Sequence, residues 1–298
     1  MTALKPPESY TFPMTSLSAE HRTFTDADGV TIHFTVWPAR SPQGVVQISH
    51  GQGDHSQRYA QLAAFLVGKG FTVYANDHRG HGETWRDQWG GDTSKFGMPG
   101  VRGIRGMIDA INDLTAIARS ENPGLPLVFL GHSMGSFLGQ IQLDEGSLDA
   151  DLVVWSGTAL RTPFTMNAGD LNAKHKHLGN TGHEWLSRDT AVHHAFAADP
   201  LTFHAVVIKQ FGLSDGLKLF GLPKKPKKDV PILMLHGGED VVGSEKSVAS
   251  LAQRYLTVGY SDVELVVYSG ARHEVYNETN RDEVVNDLVT WITERLEA

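Results

Sequence analysis

Residues 125–143 read LPLVFLGHSMGSFLGQIQL, and this stretch decides the fold. Residues 125–130 form a short apolar run of the buried-strand kind, and residues 134–143 carry apolar positions that suit a helix. Between them Gly131-His132-Ser133-Met134-Gly135 is a G-x-S-x-G that turns a strand directly into a helix. The pentapeptide alone says little in a chain with 31 glycines. Its place in a strand–turn–helix elbow gives it meaning. There the serine is held in strained backbone, the glycines leave room for neighbouring backbone, and the hydroxyl projects above the sheet.

The rhythm extends on both sides. Residues 21–27 and 30–37 flank Asp28-Gly29 and alternate apolar with polar, which predicts a β-hairpin. Strands are expected over residues 44–49, 71–75, 152–155, 231–235 and 263–268. Helices are expected over residues 59–69, 103–120, 244–256 and 281–296. Strand–helix alternation at this spacing means a parallel sheet covered by helices on both faces, an α/β architecture. From 158 to 228 the alternation stops and the segment reads as helices and loops rich in Phe, Leu and His. The expected organisation is therefore a core in two parts, 1–157 and 229–298, with a helical cap inserted over 158–228. The insertion follows about the sixth strand, where a lid over the strand carboxyl ends would lie.

Composition narrows the function. The 298 residues carry 26 Lys+Arg against 34 Asp+Glu, a net charge of −8, which argues against a nucleic-acid partner. Cysteine is absent, excluding disulfides, thiol nucleophiles and Cys-ligated zinc. The first 14 residues are polar, contain Pro6, Pro7 and Pro13, and lack the apolar core of a signal peptide. The first 20 are expected to form a loose arm. No run approaches the roughly 18–20 apolar residues of a membrane span. A cytoplasmic protein is expected, with oligomeric state left open.

A serine hydroxyl needs a base at neutral pH, and the base needs an orienting carboxylate. Strand 231–235 runs into His236-Gly237-Gly238-Glu239-Asp240, which places Asp240 just past a strand end. Strand 263–268 runs into Ser269-Gly270-Ala271-Arg272-His273, which places His273 in the matching position one unit later. Glu239 competes with Asp240 as orienter, and Glu274 is a weaker candidate. The oxyanion needs two N–H donors: one from Met134, the residue after the nucleophile, and one from the loop His50-Gly51-Gln52-Gly53-Asp54-His55. The Gln52 amide is the expected second donor. His50 is expected to support that loop, and Asp77 and Arg79 to tie the Asp77-His78-Arg79-Gly80-His81-Gly82 loop to its surroundings.

Together these motifs resemble the α/β-hydrolase superfamily, within it the monoacylglycerol lipase and lysophospholipase branch grouped with serine aminopeptidase-type hydrolases. The resemblance is carried by HGQGDHSQRY (50–59), DHRGHG (77–82), GHSMG (131–135), HGGEDVV (236–242) and GARHEVYNE (270–278), with a further likeness over 188–201. It implies an α/β-hydrolase fold with Ser133 as nucleophile, His273 as base, Asp240 as orienter, and the Gln52 and Met134 N–H groups as oxyanion hole. The chain departs from membrane-active members at KHKHLGNTGHE (174–184), which is polar where they carry an apolar cap surface.

No metal or cofactor is called for. Of 15 histidines, six fall in the insertion, and His175, His177 and the others there are read as exposed. PKKPKK (223–228) is read as a solvated linker. Phe196, Leu201, Phe203, Val207, Phe211, Leu217 and Phe220 are read as mostly the cap's own core, with a subset facing an acyl pocket. The expected function is a serine esterase acting on a small acylglycerol- or lysophospholipid-like ester. An amidase or peptidase with the same triad, or a small-molecule binding module on this scaffold, are the alternatives. Epoxide hydrolases and dehalogenases need a carboxylate at the elbow, where Ser133 stands.

Overall fold

The computed structural model describes residues 18–167 and 169–297, so most of the expected N-terminal arm lies outside the described residues. Eight strands form one sheet: β1 (Glu20–Thr25), β2 (Thr31–Trp37), β3 (Gly44–Ser49), β4 (Phe71–Asn76), β5 (Leu127–His132), β6 (Leu152–Ser156), β7 (Ile232–Gly237) and β8 (Val263–Tyr268). Their order is β1-β2-β4-β3-β5-β6-β7-β8. The β1–β2 and β2–β4 pairings are antiparallel and the rest parallel.

The helices are α1 (Ala60–Gly68), α2 (Gly82–Trp89), α3 (Ile104–Glu121), α4 (Met134–Glu145), α5 (Thr190–Ala198), α6 (Val207–Lys218), α7 (Glu245–Val258) and α8 (Arg281–Leu296). Strands β3 to β7 are buried along nearly their whole length, so apolar side chains face both ways. One layer packs Met107, Ile111 and Leu114 of α3, Leu138 of α4, and Val248 and Leu251 of α7 on Phe129, Val153 and Trp155. The other packs Leu62 and Leu66 of α1, and Leu288 and Trp291 of α8, on Val46, Val128 and Leu233. Helices on both faces of a parallel sheet leave the carboxyl ends of its strands as the natural place for a site.

The hairpin is fastened to the molecule by a buried cation. Arg79 is 1% exposed and donates from Nε to Asp26 (2.7 Å) and from Nη2 to Asp28 (2.7 Å). Asp77 accepts from the Ser56 and Glu83 N–H groups, both at 2.8 Å. The loop after β4 is thus tied down as its sequence suggested.

Between β6 and β7 no strand forms among the described residues. That segment carries α5, α6 and loops, with one isolated bridge from Met166 to Gly243. Its histidines correct the expectation of uniform exposure. His175 and His193 are buried, whereas His177, His194 and His204 are exposed. The 174–184 stretch is likewise not simply a polar surface. Glu184 is fully buried and accepts hydrogen bonds from Asn172 Nδ2 (2.7 Å), Thr181 N (2.7 Å) and Thr181 Oγ1 (2.8 Å). Polar residues there bond to one another, so they fill an interior that apolar periodicity could not reveal.

Candidate active site

Ser133 follows β5 and opens α4 with φ 50° and ψ −119°, a left-handed conformation that costs a non-glycine residue about 1–3 kcal/mol. The neighbouring glycines make that turn possible. A Cβ on Gly131 would lie 2.7 Å from Ser136 Cα, and one on Gly135 2.0 Å from the Ser49 carbonyl oxygen. The loop after β3 runs directly against the elbow, since a Cβ on Gly51 would lie 3.1 Å from Ser133 Cβ. This brings Gln52 beside Ser133. As the first residue of α4, Met134 has no carbonyl within the helix to receive its N–H.

His273 stands in the loop after β8 and Asp240 in the loop after β7, both almost fully buried. His273 Nδ1 lies 2.9 Å from Asp240 Oδ2 and 3.1 Å from Oδ1. Asp240 Oδ1 also accepts from the Val242 N–H at 2.8 Å. Burial alone would push the Asp240 carboxyl up. The facing His273, its hydrogen bonds and His236 more than offset this and hold the group below its usual range. Ser133 and His273 line one cavity, although no hydrogen bond joins the serine hydroxyl to the ring in this structure. Such contacts are often long without substrate.

The competing carboxylates are engaged elsewhere. Glu239 pairs with Lys174 at the surface. Glu274 binds Arg58 through both oxygens at 2.8 Å, and Arg58 also reaches Asp54 at 3.0 Å. Tyr59 donates to the other Asp54 oxygen at 2.9 Å. This network forms part of the cavity wall. It joins HGQGDHSQRY to the loop carrying His273 across more than 200 positions, so neither motif showed it alone.

Two residues near the site went unrecognised in the sequence. Trp185 packs its ring 4.8 Å from that of His273, and its carbonyl faces the His273 N–H at 3.5 Å. The His132 ring also lies against His273, with centroids 4.7 Å apart. Burial, then the neighbouring His273, push His132 down to about 4. A neutral His132 leaves His273 free to carry positive charge without a second cation beside it.

Under the loop after β3, His50 Nδ1 donates to the Gly51 carbonyl (2.7 Å) and Nε2 accepts the His78 N–H (2.9 Å), the supporting role expected for it. His81 meets the His50 ring edge-on at 5.2 Å and is pushed down to about 4 by burial. In the unfolded chain His81 and His132 would protonate near 6.5. Between 6.5 and 4 the unfolded state therefore binds more protons, and stability falls as pH falls. At pH 4 each should cost about 3 kcal/mol. Urea unfolding at pH 7, 5.5 and 4.5 should show a steadily falling midpoint. An unchanged midpoint across that range would contradict the burial of two neutral imidazoles.

Two cavities meet at Ser133, sharing Gln52, Leu171, Trp185 and Ala205 in their walls. The smaller, about 20 Å³, is a slot lined also by Asp54, His183, His204, His273 and Glu274. The larger, about 260 Å³, is lined by Phe137, Met166, Phe211, Leu213, Leu217 and Phe220 among others. Of the set expected to be mostly the cap's own core with a subset facing a pocket, Phe211, Leu217 and Phe220 face this chamber, Leu217 being 56% exposed, and Phe196 and Phe203 line the slot. The side chain of Val207 lies outside the described residues. Helix α6 is interrupted at Gly212, with φ 69° and ψ 178°, where it borders the chamber. No group of three or more metal-ligating side chains gathers among the described residues.

Residues 40–280 match the family model of the serine aminopeptidase, S33 hydrolases. The chain belongs to this family. A monoacylglycerol lipase of Mycolicibacterium smegmatis is 32% identical over 95% of this chain and all of its own length. The human monoglyceride lipase is 28% identical over 91% of this chain and 89% of its own. A lipase solved in an open form superposes with a TM-score of 0.80 at 26% identity, covering 94% of this chain and all of that one. The fold is that of an α/β-hydrolase, as the motifs implied. No described helix of this hydrolase is long and apolar enough to cross a membrane.

Proposed function

We propose that this hydrolase cleaves carboxylic esters of the monoacylglycerol or lysophospholipid type through an acyl-enzyme on Ser133. The meeting at Ser133 of a large apolar chamber and a much smaller slot, mostly apolar but with His183, His204 and His273 in its wall, carries this reading. An acyl chain of low polarity suits the chamber, and a hydroxyl-bearing alcohol suits the slot. Residues 158–228 act as a cap that supplies walls to both. The relatives named above as monoacylglycerol lipases support the same substrate class.

In this mechanism His273 Nε2 accepts the Ser133 proton as Oγ attacks the ester carbonyl carbon. Asp240 keeps the other proton on Nδ1 and stabilises the imidazolium. The carbonyl oxygen, now negative, is held by the Gln52 and Met134 N–H groups, each worth about 3–4 kcal/mol. Collapse breaks the carbonyl–alkoxy bond, and His273 protonates the departing alcohol. Water, deprotonated by the same ring, then releases the acid. The base contributes about 10²–10⁴-fold.

Amidase or aminopeptidase action ranks second. The slot has two carboxylates, Asp54 and Glu274, but their oxygens are already bonded to Arg58, Tyr59, Asn277 and the His55 N–H. An incoming substrate amine would have to displace those partners. Initial rates on p-nitrophenyl esters from acetate to palmitate, beside aminoacyl anilides, separate the readings. The expected profile rises into medium or long acyl chains, with anilides turned over far more slowly. Faster anilide than ester turnover would reverse the assignment.

A further inference from the structure

Gln52 bears a side chain that the oxyanion-hole assignment does not use. Among the described residues, both its Nε2 and its Oε1 are buried without a hydrogen-bond partner. Leaving a buried amide unpaired costs about 1–3 kcal/mol per group, so each such group calls for a partner. The amide is closely packed. A Cβ built on Gly97 would lie 2.7 Å from Gln52 Nε2, 2.6 Å from Gln210 Cγ and 2.9 Å from Phe203 Cε2, so these three side chains converge on one point. Phe203 belongs to the slot, while Gln210 precedes Phe211 in the chamber wall. Gln210 Oε1 accepts the Val206 N–H at 2.8 Å and makes no hydrogen bond to Gln52 among the described residues.

Gln52 lines both cavities where they meet at Ser133, so its buried amide lies beside the start of the chamber. From this we infer that the Gln52 side chain reads a hydroxyl on the acyl chain close to the scissile carbonyl, making hydroxyacyl esters preferred substrates. A plain alkyl chain passes the amide and leaves it unpaired. A hydroxyl on C2 or C3 can donate to Oε1 and accept from Nε2 at once. Rotation about the terminal torsion, which is broad for an amide, brings either atom to the wall. The inference rests on the ester-hydrolase reading above and adds the chemistry of the acyl group.

The test compares ethyl octanoate with ethyl 2-hydroxyoctanoate and ethyl 3-hydroxyoctanoate, each enantiomer separately, on the wild-type chain and on Gln52→Met. Methionine keeps length and flexibility but offers no donor or carbonyl. The wild type is expected to favour at least one hydroxylated ester by roughly tenfold in kcat/KM, mainly through KM. Gln52→Met should erase that preference. The ratio is the readout, because a disturbance of the Gln52 backbone amide would slow hydroxylated and plain esters alike. Equal wild-type rates on all esters, or a preference that survives in Gln52→Met, overturns the inference. Should the variant fail to fold, the wild-type ratios alone decide. No turnover of any of these esters would instead count against the ester-hydrolase reading itself.

Discussion

Ser133→Ala is expected to lower kcat by about 10⁶-fold on the best p-nitrophenyl ester while leaving the fold intact. The chemical half follows from the loss of the group proposed to form the acyl-enzyme. The structural half follows from what the side chain does in the folded protein. Among the described residues the Ser133 hydroxyl accepts or donates no hydrogen bond, whereas its backbone is held by the Ser156 carbonyl (2.9 Å) and by Ser136 and Phe137. Removing Oγ therefore leaves the elbow's contacts in place. Alanine inherits the positive φ and its strain, so the unfolding midpoint should stay within experimental error. Ser133→Gly should be equally inactive but more stable, by about 1 kcal/mol, because glycine adopts this φ without strain. Loss of an organophosphonate adduct in both variants, read by intact mass, gives an independent check. Activity near wild type in Ser133→Ala would end the nucleophile assignment.

The elbow was legible because its signals are local. An apolar run, a G-x-S-x-G and a helix sit side by side in 125–143, and the structure places β5, the turn and α4 there. Strand β8 and helix α8 also appear with the bounds their periodicity predicts. Helix α2 was not foreseen. Its eight residues, GETWRDQW, carry just two large apolar side chains, Trp85 and Trp89 at helical spacing, too few to mark a helix, and carbonyls beyond the helix anchor both, Asp92 for Trp85 and Met98 for Trp89. The same contrast holds at the site. Asp240 and His273 each follow a strand end and could be read one at a time. Trp185 and the Arg58–Glu274 pair acquire meaning only when distant segments meet, and nothing in the 158–228 composition marks Trp185 for a place against His273.

The buried histidines show what such meetings do to chemistry. His132 and His273 are similar imidazoles within 5 Å, yet only His273 has a carboxylate bonded to Nδ1. His132 Nδ1 meets a neutral partner, the Ser156 hydroxyl, at 3.2 Å. With no carboxylate bonded to it, burial and the neighbouring His273 outweigh the pull of Glu274, Asp54 and Asp240 and push His132 down to about 4, which suits a spacer more than a base. The position of one acid, Asp240, thus separates the proposed base from its neighbour.

That acid supports the second large prediction: Asp240→Asn should reduce kcat/KM by about 10⁴-fold, with secondary structure retained. The carboxylate of Asp240 meets two donors, the Val242 N–H on Oδ1 and His273 Nδ1–H on both oxygens. An asparagine has one oxygen and one NH₂ group to offer. The Val242 N–H is fixed in the backbone and can only donate, so it claims the amide oxygen. The NH₂ group then faces His273 Nδ1 and forces that nitrogen to accept. The proton moves to Nε2, where the ring can no longer take a proton from Ser133. The defect is one of tautomer, so it should appear in kcat on every ester regardless of chain length. Glu239→Gln is the control. Glu239 is partly exposed and pairs with Lys174, so its loss should change kcat/KM by no more than about threefold. If Glu239→Gln were the crippled variant and Asp240→Asn the mild one, the orienting acid would be Glu239, and the His273–Asp240 contact would be structural.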